Sequence, residues 1–349
     1  MIRKDYFKIP EPIIGIDIGY DTLKVIQIRH GSNKHRLLAY NRIPIPPRSL
    51  QHYQNSKQVL VDSLKKALRE AKPHRINSTY VISGLPEAKV FTTVLQVPPM
   101  TLKEMTEAIP IQATKYIPMP IENLNIDFQP LAPNWEGNID VLVVAAPKTL
   151  VERYAEIFSN AELTLFALET KPIANSRSLL TKDDTEPILI VDIGAEGCGL
   201  TLFDNKIIRF TTSLPQGGNI FTKSIATQLG ISEKEAEASK RKYGITGQDN
   251  RVALAMESDL NEIIEEIMRA INYYEERTAK NKKVSKIRLC GGASQTPGLI
   301  KYMEDKTRRK VEIGNLLANL TPGSAKIFGE EPVVRYTTAI GLALRKGYF

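Results

Sequence analysis

Apolar residues gather into short runs broken by turn residues, and one arrangement of runs occurs twice. Pro12–Ile16 is followed after a small turn by Leu23–Ile28, and Ile188–Val191 is followed in the same way by Leu200–Phe203. Short apolar runs bounded by turns are the pattern of buried strands, so each pair predicts strand, turn, strand. The turns are Gly15-Ile16-Asp17-Ile18-Gly19 and Val191-Asp192-Ile193-Gly194-Ala195. Each is a hairpin and not a P-loop. Glycines there let backbone N–H groups approach an anion, and the aspartate can hold a hydrated divalent cation. Either copy alone reads equally as a tight hairpin. Two in register suggest a nucleotide clamp.

A third run, Ile287–Cys290, leads into Gly291-Gly292-Ala293-Ser294 and on to Leu299-Ile300. The spacing predicts a strand, a glycine pair and a helix. A nucleoside could lie on the glycines, with the N–H groups of the helix nearby. A plain strand-helix turn capped at Ser294 or Thr296 is the alternative.

Between these landmarks the periodicity changes. Val59–Ala71 has helical spacing and stops before Pro73, and Thr79–Ser83 reads as a strand. From Val90 to Phe166, strand-like runs at Val90–Val97, Ile126–Leu131 and Asp140–Ala146 alternate with helices at Leu102–Tyr116 and Thr149–Ala161, an inserted α+β module. Pro110 should kink the first of these helices or mark its true start. The flanking Val97-Pro98-Pro99-Met100 and Tyr116–Ile121 read either as rigid loops or as a docking ledge. Leu168–Ala174 opens a helix linking two halves, the second of which begins near Pro187. Helices follow at Phe221–Leu229, Ser232–Tyr243 and Ser258–Ala279, the middle one opening with the capping box Ser232–Glu235. Glu237, Lys240 and Arg241 share one face of it.

Composition narrows the function. At 349 residues, 42% hydrophobic and 25% charged, the chain has ordinary globular usage and room for two or more cores. No apolar run nears the roughly 20 residues of a spanning helix, and Met1–Tyr6 lacks a signal-peptide core, so a cytoplasmic protein is expected. The basic end through Lys8 is either a frayed terminus or an arm that touches a bilayer. Cys198 and Cys290 read as small buried hydrophobes. The four histidines, His30, His35, His52 and His74, have no metal-ligand spacing, which argues against zinc and histidine catalysis. A net charge of +8 spread over scattered basic residues suits an anionic membrane or an acidic partner, and no nucleic-acid binding is expected.

The order of two Asp-Gly turns and then Gly-Gly-x-Ser resembles the actin-like ATPases, in which two related halves close over ATP. Within that class the chain is similar to the type IV pilus assembly proteins of the PilM family, relatives of the division protein FtsA. Its marks are Gln96-Val97-Pro98, Leu102-Lys103-Glu104-Met105, Tyr116–Ile121, Lys171-Pro172, Val191–Glu196, Lys240–Gly244 and Ala339–Leu344, spread over nearly the whole chain. The resemblance implies an α/β, actin-like two-lobed ATPase fold with an SHS2-type α+β subdomain inserted in the first lobe. On that plan residues 1–89, the linking helix at 167–186 and the C-terminal helix at 333–349 form the first lobe, and 90–166 form the insert. Residues 187–332 form the second lobe, with a helical adenosine-side subdomain at about 222–285.

The same resemblance implies ATP in the cleft. Asp17, Gly19 and Lys24 would form the first phosphate loop, with Asp192 and Gly194 in the second. Glu237, Lys240 and Arg241 would flank the ribose and adenine, and Gly291, Gly292 and Ser294 the α-phosphate and base. Mg²⁺ would sit between the phosphates and the two aspartates, through water. The implied partner is the short cytoplasmic N-terminal peptide of a PilN-type inner-membrane protein, docked on the first half, so that membrane attachment is peripheral. Other platform components, the pilus motor ATPases and self-association stay open, as does the machine's use in motility, adhesion, DNA uptake or secretion.

Two departures bear on chemistry. Actin-like hydrolases place glutamine or glutamate just before the proline of the linking helix to orient water, and here that place holds Lys171, which cannot accept a proton. The second loop carries Glu196 and Cys198 where relatives more often have glycine and threonine or serine. Slow or absent hydrolysis is therefore expected, with no confident catalytic residue. A division-type filament former is the alternative. No third acid stands out after the first loop, which argues against a sugar or small-acid kinase.

Overall fold

Each half of the chain builds a five-stranded sheet on the same plan. The computed structural model describes residues 12–117, 119–133, 137–246, 250–278 and 282–346. In the first half β1 (Ile13–Ile18), β2 (Thr22–Arg29) and β3 (Arg36–Pro44) form an antiparallel meander. After α1 (Tyr53–Arg69), β4 (Tyr80–Gly84) returns parallel to β1. An excursion then follows: β5 (Phe91–Val97), α2 (Leu102–Ala113), β6 (Leu124–Pro133) and β7 (Ile139–Pro147), with β5, β7 and β6 forming a separate three-stranded sheet. The chain comes back through α3 (Lys148–Asn160) to β8 (Thr164–Glu169), which closes the order β3-β2-β1-β4-β8.

After α4 (Lys171–Leu179) the plan repeats. β9 (Ile188–Ile193), β10 (Cys198–Asp204) and β11 (Ile207–Leu214) form the second meander. Helices α5 (Gly218–Leu229), α6 (Glu233–Tyr243) and α7 (Asn250–Arg277) precede β12 (Lys286–Cys290), which lies parallel to β9. Then α8 (Leu299–Thr307), β13 (Lys310–Ile313), α9 (Gly323–Phe328) and α10 (Thr337–Ala343) complete the order β11-β10-β9-β12-β13.

Strand periodicity explains where the aspartates end up. All six residues of β1 are buried, because both faces of the sheet are covered. Ile14, Ile16 and Ile18 pack with α1 and α3, whereas Ile13 joins a core shared with α4 and α10. In β9, Leu189, Val191 and Ile193 pack with α5 and α7, and Ile188 and Ile190 enter that same shared core. Since side chains alternate, Asp17 and Asp192 fall on the two faces that look at each other across the α4–α10 layer.

That layer is close-packed through glycine. A Cβ on Gly341 would lie 1.8 Å from the Ala174 carbonyl oxygen, and one on Gly15 would lie 2.1 Å from that of Ala339. A second tie joins the excursion to the second lobe: Arg209 Nη1 on β11 donates to Asp140 Oδ2 on β7 at 2.6 Å, both side chains nearly inaccessible.

Several expectations change. Residues 148–166, assigned from sequence to the insert, pack instead into the first lobe: Leu150, Tyr154, Ile157 and Phe158 of α3 join the core under β1, and β8 pairs with β4. Helix α1 starts at Tyr53, earlier than apolar spacing indicated, because its first turns are polar; α7 starts at Asn250, its first two turns already giving Val252, Ala255 and Met256 to the core. Helix α2 starts at Leu102 behind a capping box from Thr101 and Glu104, so Pro110 lies inside it and does not mark its start. The expected ends at Lys8, Ala279 and Phe349 lie outside the described residues, as does Pro118.

The variant Gly341→Val forces a side chain into the Ala174 backbone and is expected to cost about 3 kcal/mol or more of unfolding free energy. Urea denaturation checks this; a loss under about 1 kcal/mol would mean that α10 and α4 do not cross in contact.

Candidate functional site

The two hairpins share one register. Asp17 pairs with Lys24 across β1 and β2, and Asp192 pairs with Gly199 across β9 and β10. Each turn closes alike, Gly19 N–H donating to Thr22 O at 2.8 Å and Gly194 N–H to Gly197 O at 2.9 Å. Between them opens a cleft of about 1230 Å³, lined by Asp17, Gly19, Lys24, Lys171, Asp192, Gly194 and Gly291 among others. Gly291 has φ +83°, and a Cβ there would come within 2.4 Å of Asp192 Oδ1. A larger residue would therefore push into the carboxylate that the turn exists to present.

Asp17 and Asp192 are anchored differently. Asp17 accepts from Lys24 Nζ at 2.7 Å; burial acts to raise its carboxyl, but Lys24 and Lys171 together hold it below the usual range. Asp192 accepts from Asn175 Nδ2 on α4 at 2.9 Å, and Asn175 Oδ1 accepts in turn from Thr338 Oγ1 on α10 at 3.0 Å. Asn175 and Thr338 are buried and went unnoticed in the sequence. A signal existed for Asn175: it stands four residues after Lys171, on the same helix face.

Lys171 is the first residue of α4 and is half-buried in the cleft. Among the described residues it makes no direct hydrogen bond or ion pair. Burial disfavours its charge, yet Asp17, Asp192 and Glu87 outweigh burial and keep the ammonium more firmly protonated than a free lysine. Glu87 corrects the expectation that no third acid follows the first loop. Its carboxylate lines the cleft and lies over Gly199, 2.7 Å from where a Cβ would stand. Burial, offset in part by Lys171 and reinforced by Asp192, raises its pKa to about 7. Its position in a polar stretch beside Pro86 held no sequence signal.

On the adenosine side the candidates divide. Glu237 and Arg241 line the cleft, joined at 2.7 Å. Burial resists the charge on Glu237, but Lys240, Thr222 and Arg241 draw its pKa down to about 2. Lys240 also lines the cleft, but its Nζ is buried and donates to Gly218 O at 2.6 Å, Thr222 Oγ1 at 2.7 Å and Glu237 Oε2 at 2.6 Å. All three of its hydrogens are engaged, so it ties α6 to α5. Gly291 and Gly292 line the cleft, and a Cβ on Gly292 would meet nothing. Ser294 does not reach the cleft: its side chain is buried and donates to Gly291 O at 2.7 Å, bracing the turn. A short 3₁₀ turn, Gly292–Gln295, separates the glycine pair from α8, whose cap is Gly298 and neither Ser294 nor Thr296. The helix therefore does not follow the pair directly, and the 3₁₀ turn meets the cleft.

The mouth is bridged as well. Glu196 of the second hairpin accepts from Gln51 Nε2 at 3.3 Å and lies 3.7 Å from Arg48 Nε, both in the first lobe. Glycines at close approach and cationic walls suit a nucleoside triphosphate. Metal donors are sparser: among the described residues no group of three or more His, Cys, Asp or Glu is placed to hold a metal ion.

Two lobes on one plan, each giving an Asp-Gly hairpin to a shared cleft, define an actin-like ATPase fold. Solved structures agree: the ethanolamine utilization protein EutJ of Carboxydothermus hydrogenoformans has TM-score 0.56 at 14% identity, covering 97% of this chain and 89% of its own. MreB 5 of Spiroplasma citri, solved with AMPPNP, has TM-score 0.53 at 14% identity, covering 95% of each chain. Residues 15–347 match the model of the family described as type IV pilus assembly protein PilM, and the chain belongs to that family. A PilM–PilN type IV pilus biogenesis complex matches with TM-score 0.81 at 30% identity, over 96% of this chain and 98% of the other. Cell division protein FtsA of Escherichia coli K12 is 28% identical over 198 residues, 49% of this chain and 46% of FtsA. The chain spans about half the length of the curated relatives it matches.

Protonation of Glu87 gives a stability test. The group has a folded-state pKa of about 7 against an ordinary 4.5, so the folded state holds its proton more tightly than the unfolded one. Its penalty on folding starts near pH 4.5 and is complete near pH 7. The nucleotide-free protein should lose about 1–3 kcal/mol over that window, and Glu87→Gln should remove most of the slope. Parallel melting-temperature profiles of the two proteins would refute this placement of Glu87.

Proposed function

We propose that this chain is a cytoplasmic, ATP-binding scaffold of the type IV pilus inner-membrane platform that binds the short N-terminal cytoplasmic peptide of a PilN-type membrane protein. The observation that carries the reading is the match over almost the full chain to a PilM in complex with PilN. Among the described residues no helix is long and apolar enough to cross a membrane, so attachment through a partner fits. The edge of the three-stranded sheet's layer supports docking there: Leu102, Ile111 and Tyr116, at or just beyond α2, are 64%, 68% and 57% exposed, more than buried packing would leave.

In the cleft, Gly19, Gly194 and Lys24 would hold the phosphates, with any Mg²⁺ reached through water from Asp17 and Asp192. Gly291 and Gly292 would carry the nucleoside, and Glu237 and Arg241 its ribose and base. ATP supplies binding energy between the lobes. The position beside the linking-helix proline carries Lys171, so no base is offered there for water, and turnover is slow or absent.

A division-type filament former is the second reading, favoured by the likeness to FtsA over half the chain. A sugar kinase is no longer disfavoured by want of an acid, since Glu87 lies in the cleft, but family membership counts against it.

Calorimetric titration separates these. ATP and a synthetic PilN-type N-terminal peptide should both bind, Asp192→Ala should weaken ATP by about tenfold or more, and hydrolysis should stay below about one turnover per minute. ATP binding without peptide binding, together with ATP-dependent sedimentation, would favour the filament; faster turnover abolished by Asp192→Ala would sink the slow-hydrolysis reading.

A further inference from the structure

The two hairpins share one register, and the facing partner of the aspartate differs in charge between them. Asp17 faces Lys24 at 2.7 Å across its ladder, whereas Asp192 has Gly199 at the equivalent place. The space over Gly199 is filled by a second acid, Glu87, which leaves the second hairpin with two carboxylates and no cation of its own. The cation comes from elsewhere. Lys171, the first residue of the linking helix, lines the same cleft as Asp17, Asp192 and Glu87, and among the described residues pairs directly with none of them.

Its location is poor for any purely structural role. The N-terminus of a helix carries a partial positive charge, so a lysine as the first residue of α4 is opposed by the helix itself, and half-burial opposes it again. A lysine serving only stability would fold onto one carboxylate. An ammonium held among three acids with none as direct partner keeps its hydrogens for something that enters the cleft. A compact, strongly hydrated point charge is also the side-chain group most like a metal aquo-ion toward phosphate.

We propose that the Lys171 ammonium takes the charge-neutralising place of a divalent cation toward the terminal phosphates, so that this cleft binds a nucleoside triphosphate nearly as well without Mg²⁺ as with it. The proposal rests on the nucleotide reading above. Two aspartates already engaged by Lys24 and Asn175 give a metal little to hold, while Lys24 and Lys171 offer two ammonium groups to the phosphate chain. Mg²⁺ then accompanies ATP without being required for it.

The test is calorimetric titration of the full chain with ATP in excess Mg²⁺ and in excess EDTA, repeated with Lys171→Gln. The wild-type affinities should agree within about threefold, and Lys171→Gln should bind Mg·ATP within about tenfold of wild type while losing a further tenfold or more in EDTA. A cooperative melting transition of Lys171→Gln above the titration temperature, whatever its midpoint, shows that the variant is folded in the experiment. A wild-type affinity that falls about a hundredfold in EDTA, with Lys171→Gln showing the same ratio, overturns the proposal while leaving the nucleotide reading in place. No ATP binding in either condition overturns both.

Discussion

The structure depends on the crossing of α4 and α10 between the two sheets. Neither helix belongs to one lobe's core alone; both contribute to the cluster shared by Ile13 of β1 and Ile190 of β9. The crossing is possible because Gly341 carries no side chain where α10 meets Ala174 of α4, and Gly15 likewise lets α10 lie against β1. It also has a chemical output. Thr338 of α10 holds Asn175 of α4, which holds Asp192, so the orientation of the second carboxylate is fixed by the interlobe joint and not by its own hairpin. A change in the angle between lobes would act directly on a residue facing the cleft. That is the coupling an allosteric scaffold requires, a single element biased from two sites.

Much of this was legible in the chain. Two strand-turn-strand patterns ending in Asp-x-Gly gave both hairpins, because buried strands and glycine turns are local signals that depend little on distant contacts. The glycine pair was legible for the same reason. Less legible were residues whose roles arise from topology. Ser294 matched a motif by spacing, but the 3₁₀ turn rotates it into the interior. Lys240 stood on the expected helix face, yet only the packing of α6 on α5 shows that Gly218 and Thr222 consume its hydrogens. Glu87 had no pattern at all. It reaches the cleft because β4 ends beside β1, a fact about strand order that no window of sequence contains. The boundary of the excursion failed on similar grounds, since α3 looks like its neighbours in sequence and differs only in what it covers.

The charges of the cleft are arranged in contrast across its two walls. On the first, an acid and a base face each other along one ladder, and their attraction is satisfied locally. On the second, two acids share one region, and the pKa of Glu87 is raised to about 7 by its burial first and by Asp192 in smaller part, against Lys171. Such a pair is unstable unless a proton or a cation intervenes. Lys171 is that cation in part, and Glu87 can take a proton as well. The cleft therefore contains an electrostatic demand for positive charge near Asp192 that no direct ion pair meets among the described residues.

This arrangement bears on what a nucleotide would do on the proposed reading. A triphosphate entering beside Asp192 and Glu87 is repelled by both unless Lys171 turns toward it, and when it does, the three acids lose their shared counter-charge. Any load that this places on the second hairpin meets the rest of the molecule through Asn175 and Thr338 behind Asp192, through Gly218 and Asn219 of α5, and through Gln51 and Arg48 at Glu196. On the proposed reading the energy of nucleotide binding would reach the joint between lobes through Asn175 and Thr338. An enzyme built for turnover would direct it to a water molecule; a lysine where the water-orienting group usually stands, and a joint that reads the carboxylate beside it, suit a protein whose output is the angle at which a partner's site is presented.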